Sequence, residues 1–553
     1  MKTYIRDLRR EFAGYNTAAF LADLMAGLTV AAVALPLALA FGVSSGADAA
    51  SGMITAIFAG IVIGILGGAS YQISGPTGAM AAILIGISAK YGLQGVLTAG
   101  LLTGVILLIM ALLRVGKLVS VIPVPVITGF TSGIAIIIAL GQVDNFFGTT
   151  SQGENAVAKL LSYGTLGFHP NLQAVMFGVL SMLVMILWPK KLTKYLPGSL
   201  VAIIVSVILN FILNPSASAS LVPEVGEIPQ KLMTDQSLLV TGIDVSMLPQ
   251  LVLPAISIAA LGMIESLLCG AAAGRMKGEE LNSTRELVAQ GIGNIIIPIL
   301  GGVPATAAIA RTSVGIKSGG KTRVVSVVHS ITLILSMFLL GGIMGRIPLA
   351  SLAGVLMVTA WRMNEWNSIK RLFAKKLRSS EILFAATMLA TVFFDLVIAI
   401  LVGIVAAMLI FVLKNCDLKI AMSDVRRSLE NGSEEVLHDA KVVYLTGPLF
   451  FGTQAQLTKA LDTLDEEPHG LIFSMRGVPY VDDSAIGELT DILQNQRSKG
   501  VTVLFCGVQP DVYKAMEQAG FVQQVGKQNF MWDAISAIKA LEHLSVTDTP
   551  LLG

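Results

Sequence analysis

Glu265 stands alone in the apolar run Leu261-Gly262-Met263-Ile264-Glu265-Ser266-Leu267-Leu268-Cys269, and Arg311 stands alone in Ala308-Ile309-Ala310-Arg311-Thr312. A charge surrounded by hydrocarbon is costly, so ionisable residues in such segments are functional candidates by default. An isolated carboxylate of this kind suits proton binding and release during transport. A guanidinium can hold a carboxylate or an oxyanion bidentately. Two plainer readings stand beside these. Glu265 and Arg311 are obvious partners for a structural ion pair, and an arginine nearer the membrane surface would snorkel to water.

Two breaks in the hydrophobic pattern frame these residues. Ile65-Leu66-Gly67-Gly68 leads into Ser74-Gly75-Pro76-Thr77-Gly78-Ala79, and Ile299-Leu300-Gly301-Gly302 leads into Val303-Pro304-Ala305-Thr306-Ala307-Ala308. Freed backbone is tolerated in a membrane where it lines a cavity. Paired, interrupted segments in corresponding halves point to an inverted-repeat transporter with its site near the midplane. Half-helices beginning near Thr77 and near Thr306 would present unpaired N–H groups and positive dipole ends to an anion. Gly75, Gly78, Ala305 and Ala307 are small enough to let a ligand reach the backbone, and Thr77 and Thr306 add hydroxyls. Simple kinking of packed helices by Gly and Pro is the plainer alternative.

The elements that must hold these residues are membrane helices. With 54% apolar and 13% charged residues, the chain is far from a soluble composition, where about 25% is charged. Apolar windows fall near 20–45, 50–68, 75–90, 94–113, 124–142, 171–188, 196–214, 249–273, 284–300, 305–317, 325–345, 348–361, 380–395 and 397–414, about fourteen segments by the usual length criterion. Basic residues (Arg275, Lys277, Arg285, Lys321, Arg323, Lys370, Arg371) gather in alternate loops, and acidic ones (Asp144, Glu224, Asp244) in the others. The positive-inside rule then puts both termini in the cytoplasm of a multi-pass bacterial inner-membrane protein. The N-terminal residues 1–18 are polar and basic, with no cleavable signal peptide expected.

After Lys414 the pattern changes. A polar connector is expected over 415–430, followed over 431–547 by short β-type runs alternating with helical ones, a small cytoplasmic α/β domain, and a tail at 548–553. Ser484 follows Asp482 and Asp483 at a helix start, where N-capping explains the residue types and a regulatory phosphate would also be favourable. His329 reads as a packing residue, and Asp395 as a solvated turn. The three cysteines are scattered and the five histidines lack ligand spacing, so no metal site or cofactor is indicated. No catalytic triad, P-loop or dinucleotide fingerprint is present, which argues against an enzyme, and the net charge of +2 gives no sign of a nucleic-acid partner.

Ala34-Leu35-Pro36-Leu37-Ala38-Leu39-Ala40-Phe41-Gly42, Gly262–Cys269, Glu286-Leu287-Val288-Ala289-Gln290-Gly291-Ile292-Gly293-Asn294 and Gly301–Thr312 closely resemble the SulP (sulfate permease, SLC26-type) anion transporters, and the tail resembles their STAS domain. The resemblance implies seven plus seven inverted segments split into a core and a gate over 19–414. It also implies a substrate between half-helices 3 and 10, an elevator-like slide, and a homodimer in the lipid bilayer. It adds Phe41 to the substrate-binding residues, sets Glu265 at the acidic and Arg311 at the basic position, and puts Ser484 where the related antagonist proteins are phosphorylated. This chain has Leu37 where many sulfate-type members carry Gln. Sodium-coupled bicarbonate relatives tend to have Asp at the position of Glu265 and Thr at that of Cys269, and a thiol is a poor sodium ligand. The expectation is proton-coupled symport of a small oxyanion or carboxylate (bicarbonate, sulfate or dicarboxylate). The rivals are a sodium-coupled bicarbonate symporter, a nucleobase permease of the same architecture, and a membrane-anchored regulator acting through its tail, whose partner is unknown.

Overall fold

The computed structural model describes every residue except 1, 117–121, 154–155, 190–191, 193–195, 216–220, 227, 229, 395, 417, 429–433, 463–467 and 548–553. Asp395 and the tail 548–553 thus lie outside the described residues. The chain divides into two compact units, Met1–Val405 and Ala406–Gly553.

Each apolar window holds a helix, the last of them Leu396–Asn415. Among the described residues six helical stretches are long and apolar enough to cross a bilayer, and shorter apolar helices accompany them. The helices pack in two sets. Gly78–Leu112 lies against Ser283–Ile299 and Leu248–Lys277, and Thr17–Ser44 against Val324–Met344 and Ile309–Lys317; separately, Val124–Gly141 lies against Arg378–Phe393, and Leu172–Leu187 against Leu349–Met363 and Gly198–Leu213. The Gly78–Leu112 stretch is two helices joined at Gly92, whose φ of 65° is the left-handed conformation that glycine adopts without penalty. The first is therefore a half-helix that ends near Tyr91.

The polar N-terminal segment forms the helix Lys2–Glu11, and its side chains bind the ends of both repeats. Tyr4 donates to the Ile65 carbonyl at 2.8 Å, Asp7 accepts from Arg285 at 2.9 Å, and Glu11 pairs with Arg323 at 2.8 Å with both side chains largely buried. Asp23, fully buried, accepts from the backbone of Lys321 and Thr322 and from the Thr322 hydroxyl.

Two-residue strands β1 (Ser74–Gly75) and β2 (Thr306–Ala307) pair antiparallel, Ser74 opposite Ala307 and Gly75 opposite Thr306. The second half-helix therefore starts at Ile309, later than the sequence suggests, because Thr306 is spent on the strand.

The second unit is a five-stranded sheet in the order β3 (Lys419–Ser428), β4 (Glu434–Thr446), β5 (Gly470–Gly477), β6 (Thr502–Cys506), β7 (Phe530–Met531). The β3–β4 pair is antiparallel and the other pairs are parallel. The expected connector over 415–430 is corrected here: much of it is β3, whose charged composition masked an edge strand. One apolar cluster includes Phe473, Phe505 and Phe521 with Leu489 from the helix Asp483–Ser498.

Candidate functional site

The site forms where the two breaks meet. Thr77 caps the half-helix at Gly78: its Oγ1 accepts from the Met80 amide at 3.4 Å and donates to Glu265 Oε2 at 3.0 Å. Thr306, from β2, donates to the same Oε2 at 3.2 Å. One carboxylate oxygen thus gathers a hydroxyl from each repeat. Thr77 and Thr306 are buried, while Glu265 keeps partial exposure.

Arg311 lies in the first turn of Ile309–Lys317 and is 1% exposed. Its Nη2 donates to the Pro76 carbonyl across the ribbon, and its Nη1 has no hydrogen-bond partner. Among the described residues no ion pair joins Arg311 to Glu265, so the plainer reading of a structural pair does not hold. The guanidinium fits because residue 75 is glycine; a Cβ there would overlap Nη1. Burial of so large a cation also rules out snorkelling.

Other side chains fix the ribbon. Asn294 binds Ala305 twice, donating to its carbonyl at 2.9 Å and accepting from its amide at 2.8 Å. The Ala307 amide donates to Ser266 Oγ at 3.2 Å, and Gln72 donates to the Ser266 carbonyl at 2.8 Å. Gln290 donates to Ser74 Oγ at 3.1 Å. The amides of Ala305 and Ala307 are therefore committed to the scaffold and do not face a ligand. The first-turn amides of Gly78 and Ala79, and those that open Ile309–Lys317, lack intrahelical acceptors, while that of Met80 goes to Thr77.

Phe41 and Gly78 touch, and both line a cavity of about 710 Å³ that continues along the half-helix past Ala81, Ile85 and Lys90. Cys269 turns its thiol towards Thr312 at 3.5 Å. His329 is buried beside Gly60. Ser484 is exposed in the first turn of Asp483–Ser498, whose cap is Asp482 accepting from Ala485 at 2.8 Å. Among the described residues no cluster of His, Cys, Asp and Glu has metal-binding geometry.

Sequence reasoning assigned no role to Asp23 or to Asn294. A lone Asp in Phe20-Leu21-Ala22-Asp23-Leu24-Met25 carried the same signal as Glu265 and could have been singled out. Asn294 offered no such signal, because its role depends on where Ala305 comes to lie.

Residues 20–391 match the Sulfate permease family and residues 433–532 the STAS domain. The putative sulfate transporter YvdB of Bacillus subtilis is 35% identical, over 94% of this chain and 97% of that protein. The bicarbonate transporter BicA of Picosynechococcus is 28% identical, over 94% of both chains. Among solved structures, murine Slc26a9, an anion transporter in the inward-facing state, superposes with a TM-score of 0.85 at 18% identity, over 98% of this chain and 95% of that one, and shares the fold. The transmembrane domain of a cyanobacterial BicA gives 0.64 at 28% identity, over 70% of this chain and 98% of that one. The expectation of a helical membrane transporter with a C-terminal STAS domain holds, and the chain belongs to the sulfate permease family.

Proposed function

We propose that this protein is a secondary active transporter that carries a small oxyanion or carboxylate (bicarbonate, sulfate or a dicarboxylate) together with protons. The observation that carries this reading is the position of Glu265, whose single oxygen takes hydroxyl hydrogen bonds from both Thr77 and Thr306. Those hydroxyls, with the amides of Gly78 and Ala79, are the donors that an anion needs. An anionic Glu265 about 4 Å from a bound anion opposes it by about 4 kcal/mol at an effective dielectric of about 20. A proton on Glu265 removes that opposition and lets the hydroxyls turn to the ligand. Anion and proton then favour each other's binding, the coupling that symport requires. Arg311, one nitrogen of which is unspent, supplies the nearby positive charge.

The substrate range draws on the relatives named as sulfate and bicarbonate transporters. The paired strands tie the two half-helices into one body, which supports movement of that helix set against the other in an elevator-like slide. A homodimer with both termini cytoplasmic in a bacterial inner membrane, and regulation at Ser484, belong to the same reading.

A second reading uses the same atoms. Thr77 Oγ1, Thr306 Oγ1 and Glu265 Oε2 converge as an oxygen set of the kind that hard cations prefer, which favours sodium coupling. Cys269 adds no oxygen to that set, so we favour protons.

The test is uptake by purified protein in liposomes with proton and sodium gradients imposed independently. Radiolabelled bicarbonate, sulfate, succinate and fumarate are offered in parallel. Accumulation that follows the inward proton gradient, and is lost in Glu265→Gln with the protein still folded, is the expected result. Accumulation that needs sodium favours the second reading, and unchanged uptake by Glu265→Gln removes Glu265 from the mechanism.

A further inference from the structure

The cavity that begins at Phe41 and Gly78 has mainly aliphatic walls, including Ile83, Ile87, Ile137, Ile138 and Leu253. Among its described lining residues the charged ones are Lys90 and Lys159, both cationic, and no carboxylate lines it. Lys90 sits at the far end of the half-helix, exposed, with its ammonium 5.2 Å from the Tyr91 ring centroid. Lys159 reaches the same cavity from the separate helix Ala156–Leu166. Neither side chain forms an ion pair among the described residues. Asp144, an acid in this part of the chain that is not among the lining residues, accepts hydroxyl hydrogen bonds from Tyr163 at 2.5 Å and Ser151 at 2.6 Å.

Two ammonium groups with no ion-pair partner among the described residues, lining an apolar-walled cavity, concentrate anions there. Apolar walls focus their field along the cavity and raise the local concentration of the opposite charge. At about 710 Å³ the space far exceeds one small oxyanion, so a captured anion there stays hydrated and the lysines act by field more than by fixed contact. The two helix ends near Lys90, those of Thr17–Ser44 and Val124–Gly141, are joined by Gln142 donating to Ser44 Oγ at 3.1 Å. By the charge alternation of the loops this is the periplasmic end.

We propose that Lys90 and Lys159 form an anion-capture station at the mouth of the cavity, delivering substrate to the half-helix start at Gly78. The proposal rests on the anion-transport reading above. Capture of this kind changes apparent affinity without touching the translocation step, and salt screens it over about 8 Å at physiological ionic strength.

The experiment measures initial uptake of radiolabelled sulfate and bicarbonate by cells expressing wild-type protein, Lys90→Gln/Lys159→Gln, or Lys90→Arg/Lys159→Arg, at low and high ionic strength. The double glutamine variant is expected to raise KM roughly tenfold at low salt, with Vmax unchanged. That gap should close at high salt, and the double arginine variant should behave as wild type. A KM equal to wild type at low salt, a salt-independent increase, or a fall in Vmax at constant KM would overturn the capture station while leaving anion transport standing. Absence of uptake of sulfate, bicarbonate, succinate and fumarate alike by the wild-type protein would overturn both.

Discussion

Arg311 donates a hydrogen bond to the carbonyl of Pro76, a residue 235 positions earlier and in the other repeat. The guanidinium packs against Gly75, so the cation of the second repeat is seated on the backbone of the first.

Gly75→Ala is expected to displace Arg311, since the added carbon overlaps Nη1. Overpacking of this kind costs about 1–3 kcal/mol, and moving the guanidinium should lower anion affinity by roughly tenfold. Uptake kinetics on protein that remains monodisperse in size-exclusion chromatography would check this; an unchanged KM would show that Arg311 needs no such seat.

Asn294→Ala should be destabilising and inactive. It leaves the buried amide and carbonyl of Ala305 without partners, at about 1–3 kcal/mol for each unsatisfied group. A drop in Tm with loss of uptake is expected, and Asn294→Asp, which can still accept from the amide, should lose less.

This contrast marks what could be read in advance. Glu265, Arg311, Thr77 and Thr306 were legible because charge, or a Gly/Pro break, is conspicuous against an apolar background. The start of the second half-helix was not: pairing of Thr306 with Gly75 is a long-range event that no local pattern announces. Asn294 was equally hidden, because an amide in a helix looks the same whether it faces solvent or a distant backbone. In the second unit β3 escaped notice since it is an edge strand whose charged residues resemble a linker.

Glu11→Gln should loosen the N-terminal helix. Removing one partner of a buried ion pair costs about 3–5 kcal/mol, and Arg323 also donates to the Ile65 carbonyl. Faster proteolysis within residues 2–16 and a lower Tm are expected. In a double-mutant cycle Glu11→Gln and Arg323→Gln should be strongly non-additive; simple addition would show that the two do not act together.

Cys506 should resist alkylation in the native protein. Burial pushes its thiol above the ordinary cysteine range, so at pH 8 less of it is thiolate, the reactive form, and raising the pH should increase its rate. Cys269 is also buried and Cys416 is partly exposed. Maleimide labelling followed by mass spectrometry should therefore find Cys416 first, with Cys269 and Cys506 following only on denaturation. Rapid native labelling of Cys506 would contradict the buried β6 position.

The paired strands β1 and β2 also bear on how the protein is made. At synthesis rates of about 5–20 residues per second, tens of seconds at most separate emergence of Ser74 from that of Ala307, its partner in the ribbon. Throughout that interval the first break is already in the membrane with its strand unpaired, no Arg311 against Gly75 and no Asn294 waiting for Ala305. The nascent first half is thus the stage at which the chain is most exposed to degradation, and a ribosome stalled before residue 300 would leave a fragment that inserts but cannot complete its own interior.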